Sequence, residues 1–290
     1  MNERIVYLNG DYVPETAAHL PIFDRGLIFA DAVYEGFGIL DGQIVDFIYH
    51  MKRLERSLGQ LKIPMMFSID EMFHALMRLI AENSARSGFL YLHVTRGAGD
   101  RAFPYHDGYQ PNVFAFTQGE KFDADAPPPV VDLASFPDLR WARRDIKSTN
   151  LLAQVMAKQA ASEAGAYEAL LIDPDGFVTE AGSSSFFFIK DGALYVRPVS
   201  NEILHGITRQ TMLRVAEERQ IKLVERIYTL DEVLAADEAM ITASSIYVLP
   251  VGKIDGKPIG NGEAGTFTLA LREGYLAKAR AEFYQPQNPA

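Results

Sequence analysis

Residues 179–196 read TEAGSSSFFFIKDGALYV, and the Asp191-Gly192 pair inside this stretch decides what kind of sheet the chain builds. Asp-Gly between two apolar runs marks a tight hairpin, because a two-residue turn needs positive φ at its central positions and these residues tolerate it. "SFFFI" and "ALYV" are then neighbouring antiparallel strands. The same signal recurs at Asn9-Gly10, Asp41-Gly42, Asp175-Gly176 and Asp255-Gly256, and "RIVYL", "AVYEGFGIL" and "QIVDF" read as further strands. A chain of adjacent hairpins does not favour a doubly wound parallel sheet.

Between the strands, apolar residues recur at helical spacing near residues 50–61, 70–85, 150–164, 208–219 and 264–283, which predicts an α+β, mixed α/β fold. The segment "TQGEKFDADAPPPV" combines charge with three consecutive prolines and reads as a linker. We therefore expect a smaller N-terminal domain over 1–119, a linker over 120–128 and a larger C-terminal domain over 129–290.

At 290 residues, 48% hydrophobic and 23% charged, the chain has the composition of a globular protein with a large core. A net charge of −10 argues against a nucleic-acid partner, although a local basic pocket for a small anion is compatible with it. Cysteine is absent, so thiolate catalysis and disulfides are excluded. The opening "MNERIVYLNGDYV" lacks the apolar core of a signal peptide and no run is long enough to span a bilayer, so a soluble, cytoplasmic protein is expected. The six histidines show no paired ligand spacing, and no metal is expected. "GAGDRA" at 97–102 imitates a dinucleotide fingerprint, but the prolines and glycine of "FPYHDGYQP" stand where the required helix would begin.

Lys147, in "RRDIKSTNLLAQVMAKQAAS", precedes a helix start for which Ser148, Thr149 or Asn150 can serve as N-cap. The positive end of that helix, with Arg143 and Arg144 nearby, disfavours an ammonium and makes the lysine a candidate nucleophile. An exposed lysine offset by Asp145 is the plainer reading of this stretch taken alone. Three other segments add to it. "TEAGSSS" offers Glu180 and three serines before an apolar strand, "LHGITR" offers Gly206 and Thr208 at a helix start suited to phosphate, and "ITASS" offers Ser244 and Ser245. An amine, a carboxylate, a helix N-terminus and hydroxyls are what pyridoxal phosphate requires.

In that order the motifs resemble those of the fold type IV pyridoxal-phosphate enzymes, with bacterial D-amino acid aminotransferases the nearest in pattern, over nearly the whole chain from "DRGLIFADAVYEG" to "LPVGKIDGK". The resemblance implies a Schiff base on Lys147 and a pyridinium partner in Glu180. It implies cofactor contacts from Arg53 in "HMKRL", Ser183, Ser184, Leu204, Ile207, Thr208, Ser244 and Ser245. Tyr34 would stand on the substrate side, with Glu35 beside it. The family resembled works as a homodimer of two-domain chains, in which a loop reaches the neighbouring subunit's site to hold the substrate carboxylate. That loop's R-x-H is here "RAF", so Arg101 matches the arginine but Phe103 replaces the histidine, and His106 is a candidate substitute. "YEGFGI" also departs from the pattern, with Gly36 and Gly38 leaving more room in the strand. The implied reaction passes an amino group from a D-amino acid such as D-alanine to a 2-oxo acid such as pyruvate or 2-oxoglutarate. An (R)-selective amine transaminase, a branched-chain L-amino acid aminotransferase and an aminodeoxychorismate lyase are the alternatives.

Overall fold

The computed structural model describes residues 3–119 and 123–287, so residues 120–122 of the expected linker lie outside the described part. The chain forms two compact units, Met1–Lys121 with Ile146–Asn150 and Glu282–Ala290, and Phe122–Asp145 with Leu151–Ala281. Lys147 thus belongs to the first unit, while the chain on both sides of its short segment belongs to the second.

The first unit contains β1 (Ile5–Leu8), β2 (Asp11–Pro14), α1 (Arg25–Phe29), β3 (Ala32–Leu40), β4 (Gln43–Ile44), α2 (Phe47–Leu61), α3 (Ile69–Glu82), β5 (Gly88–Thr95) and β6 (Val113–Gln118). Its strands form one sheet in the order β2-β1-β6-β5-β3-β4, antiparallel throughout. Period-two alternation sends Val33, Phe37, Ile39, Leu90, Leu92 and Val94 into a core with Met51, Leu54, Leu58, Met72 and Leu76 of the helices. The strand expected over "QIVDF" stops at Ile44, because Asp46 adopts left-handed φ of 55° and α2 starts at Phe47. A Ser68–Glu71 capping box starts α3.

The second unit contains β7 (Val131–Pro137), α4 (Leu152–Glu163), β8 (Glu168–Ile172), β9 (Val178–Ala181), β10 (Ser185–Lys190), β11 (Ala193–Val196), α5 (Ile207–Glu218), β12 (Lys222–Glu225), α6 (Leu230–Leu234), β13 (Glu238–Ala243), β14 (Tyr247–Ile254), β15 (Lys257–Pro258) and α7 (Thr266–Ala281). The sheet runs β12-β11-β10-β13-β14-β7-β8-β9, with β15 on β14. Hairpin turns make most pairs antiparallel, whereas β7–β8, β11–β12 and β7–β14 are parallel. Two of these parallel joints are crossovers through α4 and α5, the connection parallel strands require. The core gathers Phe186, Phe188, Tyr228, Ile241, Leu249 and Ile254. Among the described residues, no helix is long and apolar enough to cross a membrane.

Candidate active site

The segment carrying Lys147 runs along the start of β3. Tyr34 N donates to Lys147 O at 3.0 Å, Thr149 N donates to Ala32 O at 3.1 Å, and Ser148 bridges to Val33. Lys147 N reaches Ser57 Oγ at 3.4 Å, and the Lys147 Nζ lies 4.2 Å from the centre of the Tyr34 ring. The lysine is therefore placed by main-chain bonds to a strand. The capping expected of Ser148, Thr149 or Asn150 does not occur: the N-cap of α4 is Leu151, with no side-chain bond. The main chain of Ser148 and Thr149 is instead bonded to the start of β3, and Thr149 Oγ1 donates to Ala30 O at 3.2 Å. The arginines expected to crowd the lysine are themselves paired, Arg143 with Asp145 at 2.9 Å and Arg144 with Asp138 at 3.4 Å.

Strand alternation puts Tyr34, Gly36 and Gly38 on one face of β3 and Glu35 on the other. On the first face Tyr34 stacks on Tyr91 with ring centres 5.3 Å apart, and Tyr91 stacks on Phe116 at 4.9 Å. The room expected at Gly36 is filled, because the Phe89 ring lies 2.6 Å from where a Cβ would stand. On the second face Glu35 is fully buried, accepting from Arg53 Nε at 2.8 Å and Arg53 Nη2 at 2.7 Å, with His50 Nδ1 at 2.7 Å. Burial pushes the Glu35 carboxyl up, but the Arg53 charge and the bonds from Arg53 and His50 outweigh it and hold the pKa down at about 2. Burial also pulls His50 below the usual imidazole range, against the opposing pull of Glu35.

The β5–β6 connection, residues 96–112, is an irregular loop with no helix behind "GAGDRA". The Arg101 guanidinium lies 5.4 Å from the ring centres of both Phe29 and Phe103, and Phe103 is 76% exposed. His106 stacks on Tyr109 at 4.5 Å, with its Nδ1 3.3 Å from Asp107 O.

In the second unit, β9 carries Glu180 and α5 begins beyond Leu204. Glu180 accepts from Leu204 N at 3.0 Å and from Arg140 Nη1, both on Oε1. Arg140 is fixed in turn by Asp138, through Nε at 2.9 Å and Nη2 at 2.7 Å, and Thr179 Oγ1 donates to the same carboxylate at 2.7 Å. Burial raises the Glu180 pKa and the Arg140 charge opposes the rise. The N-cap of α5, Gly206, makes no side-chain cap, so the amides of Ile207 and Thr208 open a helix without one. A Cβ on Gly206 would stand 2.7 Å from Ser185 Oγ, and Ser185 pairs with Thr242, whose Oγ1 is buried without a partner among the described residues. Ser244 and Ser245 follow β13, half-buried. The hydroxyls of Ser183 and Ser184 turn to Glu168, at 2.7 and 3.3 Å, with Lys158 joining at 2.7 Å.

Sequence reasoning missed His50, Asp138 and Arg140. His50 and Arg53 stand three apart on α2, the spacing that lets both reach one acceptor, and this was a readable signal. The Arg140–Glu180 pair joins positions 40 apart and has no local sign.

Residues 32–254 match the family model for amino-transferase class IV, and the chain belongs to that family. Among its relatives, the D-alanine aminotransferase of Bacillus licheniformis is 40% identical over 263 residues, 91% of this chain and 93% of that protein. The D-alanine aminotransferase of Staphylococcus epidermidis strain RP62A is 37% identical over 272 residues, covering 93% and 96%. Of the solved structures, a T.th. branched-chain amino acid aminotransferase complexed with N-(5'-phosphopyridoxyl)-L-glutamate aligns with a TM-score of 0.86 at 27% identity, covering 97% of this chain and 95% of that one.

Proposed function

We propose that this class IV aminotransferase moves the amino group of a D-amino acid, D-alanine among them, to a 2-oxo acid such as pyruvate or 2-oxoglutarate, using pyridoxal 5'-phosphate. The observation that carries this reading is likeness to proteins named D-alanine aminotransferase across about nine-tenths of the chain.

The residues present fit the cofactor. Glu180 keeps Oε2 open to a further donor, since both of its bonds fall on Oε1. The start of α5 and the orphaned Thr242 hydroxyl offer unpaired donors to a phosphate. When bound, the cofactor supplies an aldehyde for the amine and a ring that takes up the electron pair left at the substrate's α-carbon. Lys147 would hold it through Nζ, and its amine when free would take the substrate's α-proton as a general base. Glu180 keeps the ring nitrogen protonated, a task its buried carboxylate performs better than a neutral amide would. By the family resemblance, Arg53, oriented by Glu35, would bind the phosphate, a role the resemblance also gives to the amides of Ile207 and Thr208 and to the hydroxyls of Ser244 and Ser245. Leu204 would pack against the ring, and Ser183 and Ser184 hold the turn after β9 through Glu168. Tyr34, Arg101, Phe103 and His106 are the substrate-side residues of this reading, with Arg101 taking the carboxylate, while Gly36, covered by the Phe89 ring, acts there only through its backbone.

A branched-chain L-amino acid is the second reading, favoured by the likeness to the T.th. enzyme and by the apolar ring of Phe103. The test is to load the protein with pyridoxal phosphate, add D-alanine, L-leucine or (R)-1-phenylethylamine, and follow loss of the visible absorbance together with 2-oxo acid formed. D-Alanine is expected to bleach the cofactor and release pyruvate, and Lys147→Ala to abolish both. Bleaching by L-leucine alone transfers the assignment to the second reading, and bleaching by the amine alone overturns both. The chain works as a homodimer in the cytoplasm, to be checked by sedimentation at twice the chain mass of 32.3 kDa and by fractionation of the cells that make it.

A further inference from the structure

The opening motif "DRG" lies outside every role assigned above, yet both of its charged residues are buried, Asp24 completely and Arg25 to 4% exposure. Several of their partners lie in or next to the 96–112 loop. Asp24 accepts from Gly26 N at 2.7 Å, from Thr95 Oγ1 at 2.8 Å and from Asn112 Nδ2 at 2.7 Å, so one carboxylate ties together the two ends of the loop. Arg25 N donates to Gly97 O at 2.9 Å, and Gly99 N donates to Phe23 O at 3.2 Å. At the far side, Arg25 Nη1 donates to Ala102 O at 2.6 Å and Nη2 to Phe103 O at 3.2 Å, while Nε is taken by Asp31 at 2.9 Å.

Ala102 and Phe103 follow Arg101 directly. Residues 100–108 are exposed, and a loop with so little burial is loose unless something specific holds it. One rigid guanidinium grips two consecutive carbonyls here, a task for a planar fork and not for a single ammonium. The Phe29 ring completes the arrangement, with Arg25 4.7 Å and Arg101 5.4 Å from its centre. The Arg25 charge is offset by Asp31, whereas among the described residues Arg101 forms no ion pair, and its donors are left for an anion.

We infer that Arg25 is a positioning residue for substrate recognition: it pins the peptide groups after Arg101 and so aims that guanidinium at the substrate carboxylate. The inference rests on the proposed function for the identity of the anion. The Arg25 bond goes to the Phe103 carbonyl and so does not depend on which side chain stands there, while the Phe103 ring lies beside Arg101.

The test compares Arg25→Lys, which keeps the cation beside Asp31 but cannot span both carbonyls, with Arg25→Met. In the loaded enzyme both are expected to raise KM for D-alanine about tenfold, the worth of a well-aimed charged hydrogen bond, with kcat within about twofold. Affinity for pyridoxal phosphate, read by absorbance titration, is expected to stay unchanged. Trypsin is expected to cut after Arg101 several-fold faster in both variants, a readout that needs no activity. Unchanged cleavage in Arg25→Lys, or a KM that rises no more than the cofactor's dissociation constant, overturns the inference. If the unsubstituted protein leaves D-alanine untouched, the proposed function fails instead, and the cleavage rate still decides whether Arg25 pins the loop.

Discussion

Glu35 keeps its charge where a lone carboxylate would lose it, because two bonds from Arg53 and one from His50 replace the water it gives up. A pKa held near 2, against an ordinary value of 4.5, means that the folded state binds the Glu35 proton less readily than the unfolded chain does. Its stabilisation is therefore complete above about pH 4.5 and is lost as the pH falls toward 2. Glu35→Gln is expected to cost about 3–5 kcal/mol at pH 7, since it leaves Arg53 buried beside a neutral group. In urea titrations, the gap to the unsubstituted protein should close as the pH is lowered through that window. A gap that stays constant with pH would mean that the pair contributes packing and no charge. Glu180 is the opposite case, a buried carboxylate whose pKa lies above its ordinary value. The role proposed for it rests on "VTEAGSSS", but its electrostatic setting has no local sign, because Asp138 and Arg140 reach it only through the folding of the second sheet.

At the scale of elements, β3 does more than any other strand: its face holds Tyr34, its reverse holds Glu35, and its edge holds Lys147. The turns around it were legible because their chemistry is local. Asn9-Gly10, Asp41-Gly42, Asp191-Gly192 and Asp255-Gly256 all have positive φ at both positions, and Asp175-Gly176 has it at the glycine. The cap of α4 was not legible, since a serine and a threonine able to cap a helix can equally pair with a strand, and only the fold chooses. The glycines of β3 read as extra room in the strand, and the fold fills that room at Gly36 with the Phe89 ring, which comes from another strand and has no local sign. Gly36→Val is expected to cost about 1–3 kcal/mol by driving the Phe89 ring off the strand. Phe89→Ala made in that background should then cost less than it does alone, a coupling of at least about 0.5 kcal/mol in a double-mutant cycle of unfolding. Additive costs would show that the ring swings aside freely.

For the whole molecule, the acidic composition excluded partners more readily than it named one. The reading of a small anionic cofactor came from a few segments far apart in sequence. Binding to the folded chain alone should stabilise it by about 2.7 kcal/mol when free pyridoxal phosphate stands at a hundred times its Kd. Calorimetry should show Tm rising with cofactor concentration. The rise should be smaller in Lys147→Ala, while its Tm without cofactor stays close to that of the unsubstituted protein, because main-chain bonds hold the segment. A large loss of Tm without cofactor would contradict that placement. Closing the 96–112 loop at its base, Gly97 has φ of 107°, and a side chain there would collide with the carbonyl of Gln110. Asp24 fixes where the loop leaves the sheet and where it returns, and Arg25 holds its main chain again at the carbonyls of Ala102 and Phe103. Both of Arg25's bonds there go to main-chain carbonyls, which any residue supplies, so the exposed side chains of residues 100–108 can be exchanged on a frame whose course stays the same.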